Sequence, residues 1–264
     1  VKEAAADQKD SIKNDAQDIT TIQTITLKKK KKIKTNGKKP KVWDPSNFDF
    51  NYSYIRQQQH NPLIELNEMR RTRGAVGYTY AVQPKYIEPF KYLIKSKSPW
   101  FKLLKEFNFN YKPSSISVKA DVFRQFGAIR PRNVGGGPYK IPETYDKFFT
   151  FDRYYNLSWD FTKSIRVDYN AVNNARIDEP AGRIDTKSEK DSLKERLFKG
   201  GRNTYFQQEV TASYQLPTEK FPLLEWTSMR VGYTARYDWR AASLLAREQG
   251  NTLVNSQTKN ATAE

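Results

Sequence analysis

Cysteine is missing from this 264-residue chain, and histidine occurs once, at His60. The first absence excludes disulfides, thiolate metal sites and a cysteine nucleophile, and assigns no compartment. The second excludes a multi-histidine metal centre and forces any Ser-His-Asp triad through His60. Long apolar runs are missing as well. No stretch of about 18 uncharged apolar residues exists, so a membrane-spanning helix is excluded. The polar opening Val1-Lys2-Glu3-Ala4 has no apolar signal-peptide core, and the chain reads as a piece of something larger or a processed product. Negative charge is in deficit: 46 Lys and Arg face 29 Asp and Glu, a formal charge of +17. Apolar content, at 37%, is low for a globular domain. What is present in quantity is aromatic: Phe, Tyr and Trp make up 14%, which argues against wholesale disorder.

The charge is uneven. Residues 1–46 are almost free of aromatics, and Lys28 to Lys32 form an unbroken basic run. Such a run repels itself and stays hydrated, which describes a flexible loop, tail or insertion. Contact with nucleic acid or anionic lipid is the other reading of the same charges. Pro40, Asp44 and Pro45 mark a boundary.

From Asn47 onward apolar residues take every second position, the period of a strand. Phe48, Phe50, Tyr52 and Tyr54 alternate with Asn47, Asp49, Asn51 and Ser53. The pattern recurs over 76–82, 106–112, 116–122, 149–161, 165–171, 209–216 and 229–240. The last row, Met229 to Trp239, is the clearest. The expectation is an all-β chain of about eight antiparallel strands over 47–245, with 246–264 a loop or a cut-off continuation. Strands that cross a membrane need about 9–11 residues, more than the usual soluble strand. Counted in this way, the tight turns Lys112–Ser115 and Thr162–Ser164 fall on one side. The links after Val82, Gln125 and Asn173 fall on the other, and the link Arg56–Thr72 is intermediate. Outer-membrane barrels show such an asymmetry. Within the link 86–106, Phe90, Leu93 and Ile94 recur at helical spacing, followed by Trp100, Phe101, Leu103 and Leu104. A short amphipathic helix on a barrel rim or at a lipid surface is expected there.

No constellation points to catalysis. Gly135-Gly136-Gly137-Pro138 lacks the helix start and Lys-Ser/Thr pair of a phosphate loop and reads as a loop tip. Asp178, Glu179, Asp185, Glu189 and Asp191 are hard oxygen donors, but their spacing matches no calcium loop and basic residues interleave. His60 sits in a polar, turn-like stretch with no partner motif. Nothing selects a carboxylate pair from Glu88, Glu106 and Glu143. Basic residues among aromatics also describe single-strand nucleic-acid binders. Here, however, the rings fill one face of nearly every strand beside Val, Leu and Ile, which marks a buried or lipid-facing surface. Periodicity alone leaves two architectures open, a membrane barrel and a soluble sandwich.

The run FNFNYKPSSIS, Phe107 to Ser117, resembles a segment of the SprA (Sov) family, the giant outer-membrane translocon of the Bacteroidota type 9 secretion system. So do Leu157 to Pro180 (LSWDFTKSIRVDYNAVNNARIDEP), Leu216 to Ser228 (LPTEKFPLLEWTS) and Tyr237 to Ala242. Tyr86 to Phe90, Gly250 to Thr252 and Asn255 to Gln257 add shorter matches. The resemblance covers about residues 42–258 in order, and the Lys28–Lys41 stretch matches nothing in it. It implies an internal fragment of a very large single-chain transmembrane β-barrel in the cell outer membrane. Such a barrel exports folded cargo that carries a C-terminal sorting domain and supports gliding motility. A PorV-type shuttle barrel and a periplasmic plug protein are the implied partners, with no enzyme activity, cofactor, metal or nucleic acid. On this reading Asp160, Arg166, Asp168, Arg230, Arg236 and Arg240 face the lumen. Leu157, Trp159, Val167, Tyr169, Val231 and Tyr233 face lipid. The other function that the charge and strands allow is a soluble basic β-sandwich binding nucleic acid or acidic glycan.

Overall fold

The computed structural model describes residues 13, 15–29, 41–94, 101–135, 139–221, 224 and 226–264. Most of the Lys28–Lys41 run, Gly136 to Pro138 of the glycine cluster, and Trp100 lie outside the described residues. Nine strands form one antiparallel sheet in chain order: β1 (Ile19–Lys29), β2 (Phe48–His60), β3 (Ile64–Ala81), β4 (Ser115–Pro131), β5 (Thr144–Asp160), β6 (Ile165–Arg176), β7 (Arg202–Leu216), β8 (Met229–Arg240) and β9 (Thr252–Ala263). Each strand pairs with the next, and the sheet is open, with β1 and β9 at its two edges. The architecture is all-β. Two helices lie in connections: α1 (Lys102–Lys105) between β3 and β4, and α2 (Lys187–Phe198) between β6 and β7.

Seven of the eight expected strands are present; six run longer than their apolar rows, up to 18 residues in β3, and β8 matches its row, 229–240. The eighth, 106–112, is not a strand. Its alternation is real but inverted. Asn108 and Asn110 are buried, while Phe107 and Tyr111 are exposed. The asparagines bond to backbone: Asn108 Oδ1 accepts from Lys163 N–H at 2.8 Å, and Asn110 N–H donates to Phe161 O at 2.7 Å. One antiparallel bridge, Ile87 to Phe109, is the only pairing there among the described residues. The expected Lys112–Ser115 hairpin is therefore not one.

Two edge strands carry no such row. β1 lies inside the segment expected to be a basic loop, and β9 inside the segment expected to be a loop or continuation. β1 is rich in Thr and Ile and β9 in Thr and Asn, and both pair through the backbone ladder, which needs no continuous apolar row.

Two turns are closed by short polar side chains. Asn61 Oδ1 accepts from the N–H groups of Leu63 and Ile64 at 3.0 and 2.8 Å, making 61–63 a tight β2–β3 hairpin. The expected intermediate link Arg56–Thr72 is thus mostly strand, and His60 ends β2, paired with Ile19, instead of sitting in a turn. Thr162 Oγ1 closes the β5–β6 turn in the same way, accepting from Ser164 and Ile165.

Removing one strand from the count reverses the parity of every later connection. Rim A carries the β1–β2, β3–β4, β5–β6 and β7–β8 links, and rim B carries the others. The tight turns 61–63 and 161–164 lie on opposite rims, as do the long links 82–114 and 177–201. The expected asymmetry of short and long connections is absent.

Candidate functional site: the two faces of the sheet

Because side chains alternate along a strand and paired residues share a face, the register alone divides the sheet. One face carries Phe50, Val76, Ala120, Tyr155, Ala171, Val210 and Ala235. The other carries Asp49, Gly77, Lys119, Asn156, Asn170, Glu209 and Arg236. The six residues expected to face lipid all lie on the first. Leu157 pairs with Tyr169, Trp159 with Val167, and Ala212 links Val167 to Tyr233. The six expected to face a lumen all lie on the second, with Asp160 opposite Arg166 and Glu209 opposite Arg236.

Outside its rim-B end, the apolar face is a belt with no covering layer among the described residues. Phe48, Phe50, Val76 and Val231 are 42, 43, 48 and 43% exposed. The buried apolar residues among those described are few: Ala75, Phe126, Ala128, Phe149, Ala171, Ala175 and Ile177. A soluble sandwich needs a second sheet over this face, and the nine strands form one sheet. In β8 the row Met229 to Trp239 is uninterrupted. At about 3.3 Å per residue it runs roughly 33 Å along the strand. The tilt of about 40° usual in barrels reduces that to roughly 25 Å, the height of an outer-membrane apolar band. Aromatics occur along the whole row. Tyr78, Trp159 and Tyr214 stand near rim A, Tyr237 and Trp239 near rim B, and Tyr155, Tyr169 and Tyr233 between them.

The polar face is a mesh of opposite charges. Arg166 Nε donates to Asp168 at 3.0 Å, while Ser158 Oγ donates to the same carboxylate at 2.6 Å. Arg236 Nε and Tyr205 OH both donate to Asp238, at 2.7 and 2.9 Å. Arg73 forks onto buried Asp121, and Asn174 donates to Asp152 at 2.6 Å. Such a surface holds water over most of its area, and a smaller apolar group, Ile55, Phe123, Ile129 and Phe148, lies on the same face toward rim B.

Toward rim B the belt ends and the same face becomes ionic. Arg56 and Arg70 donate to Glu68 at 2.9 and 2.8 Å, and the Glu68 carboxyl is buried. The β6–β7 link crosses above as a strap. Ile177, 2% exposed, donates its N–H to Phe149 O. Arg124 forks onto Glu179 at 2.6 and 3.1 Å, and Lys147 Nζ donates to the Pro180 and Gly182 carbonyls. Arg183 forks onto Glu143 at 2.8 and 3.1 Å, and Arg130 meets the same carboxylate. The Arg183 hydrogen bonds, with the Tyr145 hydroxyl and the Arg130 charge, outweigh burial and lower the Glu143 carboxyl to about 2. The guanidinium groups of Arg70 and Arg183 lie 5.4 and 5.8 Å from the centre of the Phe126 ring.

The loop acids are engaged by protein groups. Glu179 holds Arg124, Asp178 holds Arg202 at 2.9 Å, and Asp191 holds Lys194 at 3.3 Å. Glu189 closes the capping box of α2 with Thr186. Glu88 and Glu143 sit on opposite rims, each bound to cations. The strap was not legible in the residue pattern. Its signal is the replacement of aromatics by Arg56, Arg70 and Arg124 on rows that are apolar nearer rim A.

No known family model matches the chain, and no curated protein matches it.

Proposed function

We propose that this chain forms part of the wall of a very large outer-membrane β-barrel that conducts folded proteins, as in the type 9 secretion translocon it resembles. The carrying observation is the uncovered apolar belt of a single antiparallel meander, backed by a charged, hydrated face. In water, exposed rows of Phe, Tyr and Val are unfavourable by about 25 cal/mol per Å². Hydrocarbon contact removes that penalty. Both edge strands keep one side unpaired, which a closed barrel resolves by adding further strands. A pore for folded cargo requires a wide lumen with a wet lining, and the mixed-sign mesh supplies a predominantly hydrated one. No chemistry is required of these residues; cargo recognition, the PorV-type shuttle and the plug belong to the same proposal.

Single-cysteine labelling tests it, since the chain has no cysteine of its own. In outer membranes containing the full-length protein, Arg236→Cys and Arg166→Cys should react with a membrane-impermeant maleimide. Tyr233→Cys and Val167→Cys should resist it and be quenched by lipid-borne probes. Equal reactivity of the two sets ends the proposal. Extraction by a high-salt wash would favour the charge-driven binder, whose affinity falls steeply with salt.

A further inference from the structure

The β3–β4 link carries an apolar surface that the sheet does not use. Phe101, Leu103 and Leu104 are exposed around α1, as are Phe90 and Phe107, whose rings lie 6.0 Å apart. The same turn holds Lys102 and Lys105. Beneath it, at rim A, is a cavity of about 960 Å³. Lys102, Lys105 and three carboxylates line it: Glu88 lies 2.9 Å from Lys91 and 2.8 Å from Lys163, Glu106 lies 3.0 Å from Lys220, and Glu219 has no ion-pair partner among the described residues. Lys102 and Lys105 have no ion-pair partner among the described residues. Two cations without a direct ion pair therefore stand beside five exposed large apolar side chains.

This patch is continuous with the belt. Phe107 stands 6.4 Å from Phe109, which bridges to Ile87. Trp159, on the apolar face at rim A, donates its indole N–H to Asn110 O at 2.8 Å. A segment that combines cationic and apolar side chains at the border of a lipid-facing band has the makeup of an interfacial anchor. Its apolar side chains enter the headgroup–acyl boundary, while lysines attract phosphate-bearing anionic headgroups.

We propose that α1 with Phe90, Phe101 and Phe107 docks on the membrane surface at rim A, Leu103 and Leu104 entering the acyl boundary and Lys102 and Lys105 binding anionic phospholipid headgroups. The assignment rests on the apolar face meeting lipid, and the experiment separates the two. Full-length protein is reconstituted into phosphatidylcholine vesicles with brominated acyl chains, with or without phosphatidylglycerol. A bimane label sits at Leu104→Cys or, on the belt, at Val118→Cys. The expected result is bromine quenching at both sites. At position 104 it should strengthen with phosphatidylglycerol, and Lys102→Glu with Lys105→Glu should abolish that dependence. Each lysine is expected to change the phosphatidylglycerol requirement by roughly fivefold. Quenching at 118 with a water-exposed label at 104 overturns the anchor and leaves the barrel reading standing. No quenching at 118 overturns both. Quenching at 104 that ignores phosphatidylglycerol and the lysines overturns the headgroup site. Shielding of 104 only when another protein is added makes the patch a protein interface and overturns the anchor.

Discussion

Glu143 shows how one side chain can close a large connection. It lies just before β5, yet it receives Arg183 from a strap that begins after β6. Its carboxyl side chain is almost fully enclosed, at 6% exposure, so removing Arg183 leaves a buried carboxylate with only Arg130 and the Tyr145 hydroxyl to hold it. Arg183→Ala is expected to cost about 2–3 kcal/mol, read as a lower urea midpoint in detergent. Glu143→Gln should cost about the same, and the double variant should cost less than the sum because the two share one interaction. The pH sign follows from a folded-state value below the unfolded one. The stabilisation is complete above the unfolded carboxylate range and is lost as pH falls toward about 2. In an acid titration the stability gap between wild type and Glu143→Gln should therefore close in the window from about pH 4.5 down to about 2. On the belt, Val210 lies in register with Tyr169 and Ala235. Val210→Arg is expected to lower membrane-folded stability by roughly 2–4 kcal/mol, against near-neutrality for Thr211→Arg on the polar face. Equal costs for the two would contradict lipid contact.

At the scale of elements, alternation predicted seven strands and missed or misread four segments, for three physical reasons. The run 106–112 alternates because buried asparagines bracket the β5–β6 turn, and polar side chains can occupy the inside when backbone groups satisfy them. β1 and β9 escaped notice because an edge strand is held by its ladder and needs no apolar row. Helix α2 has no buried residue, so it has no apolar stripe to read. Its boundaries are instead written in Thr186 and Glu189 at the start and in Gly200 and Gly201 at the end. Both glycines have positive φ, and a Cβ on Gly201 would stand 2.9 Å from Arg176 O. Thr186→Ala should weaken the helix by about 1 kcal/mol, seen as faster amide exchange in 187–198 with the strands unaffected. The faces themselves were legible. The twelve residues divide between two faces of one sheet as alternation divides them, because a one-residue slip would invert a strand and the one shift between β6 and β7, at Asn174–Ala175, lies outside their rows.

For the whole molecule, the decisive fact is that nine strands make one layer. A single sheet with an uncovered apolar face and two open edges is poorly suited to water. The isolated 264-residue segment is therefore expected to require detergent and to run as large assemblies without it on size exclusion. A compact, freely soluble monomer under those conditions would remove the basis for the barrel reading.

The residue pattern by itself determined the all-β character, the two-sidedness and the absence of cysteine- or histidine-cluster chemistry, since these depend on composition and on a period of two. Tertiary structure decided which rows pair, how many strands there are, which rim each connection occupies, and that a strap seals the rim-B end of the belt. Those depend on contacts between residues far apart in the chain, such as Arg183 with Glu143 and Lys163 with Asn108. A local period carries no information about partners brought together by pairing, and one misassigned strand is enough to exchange the rims.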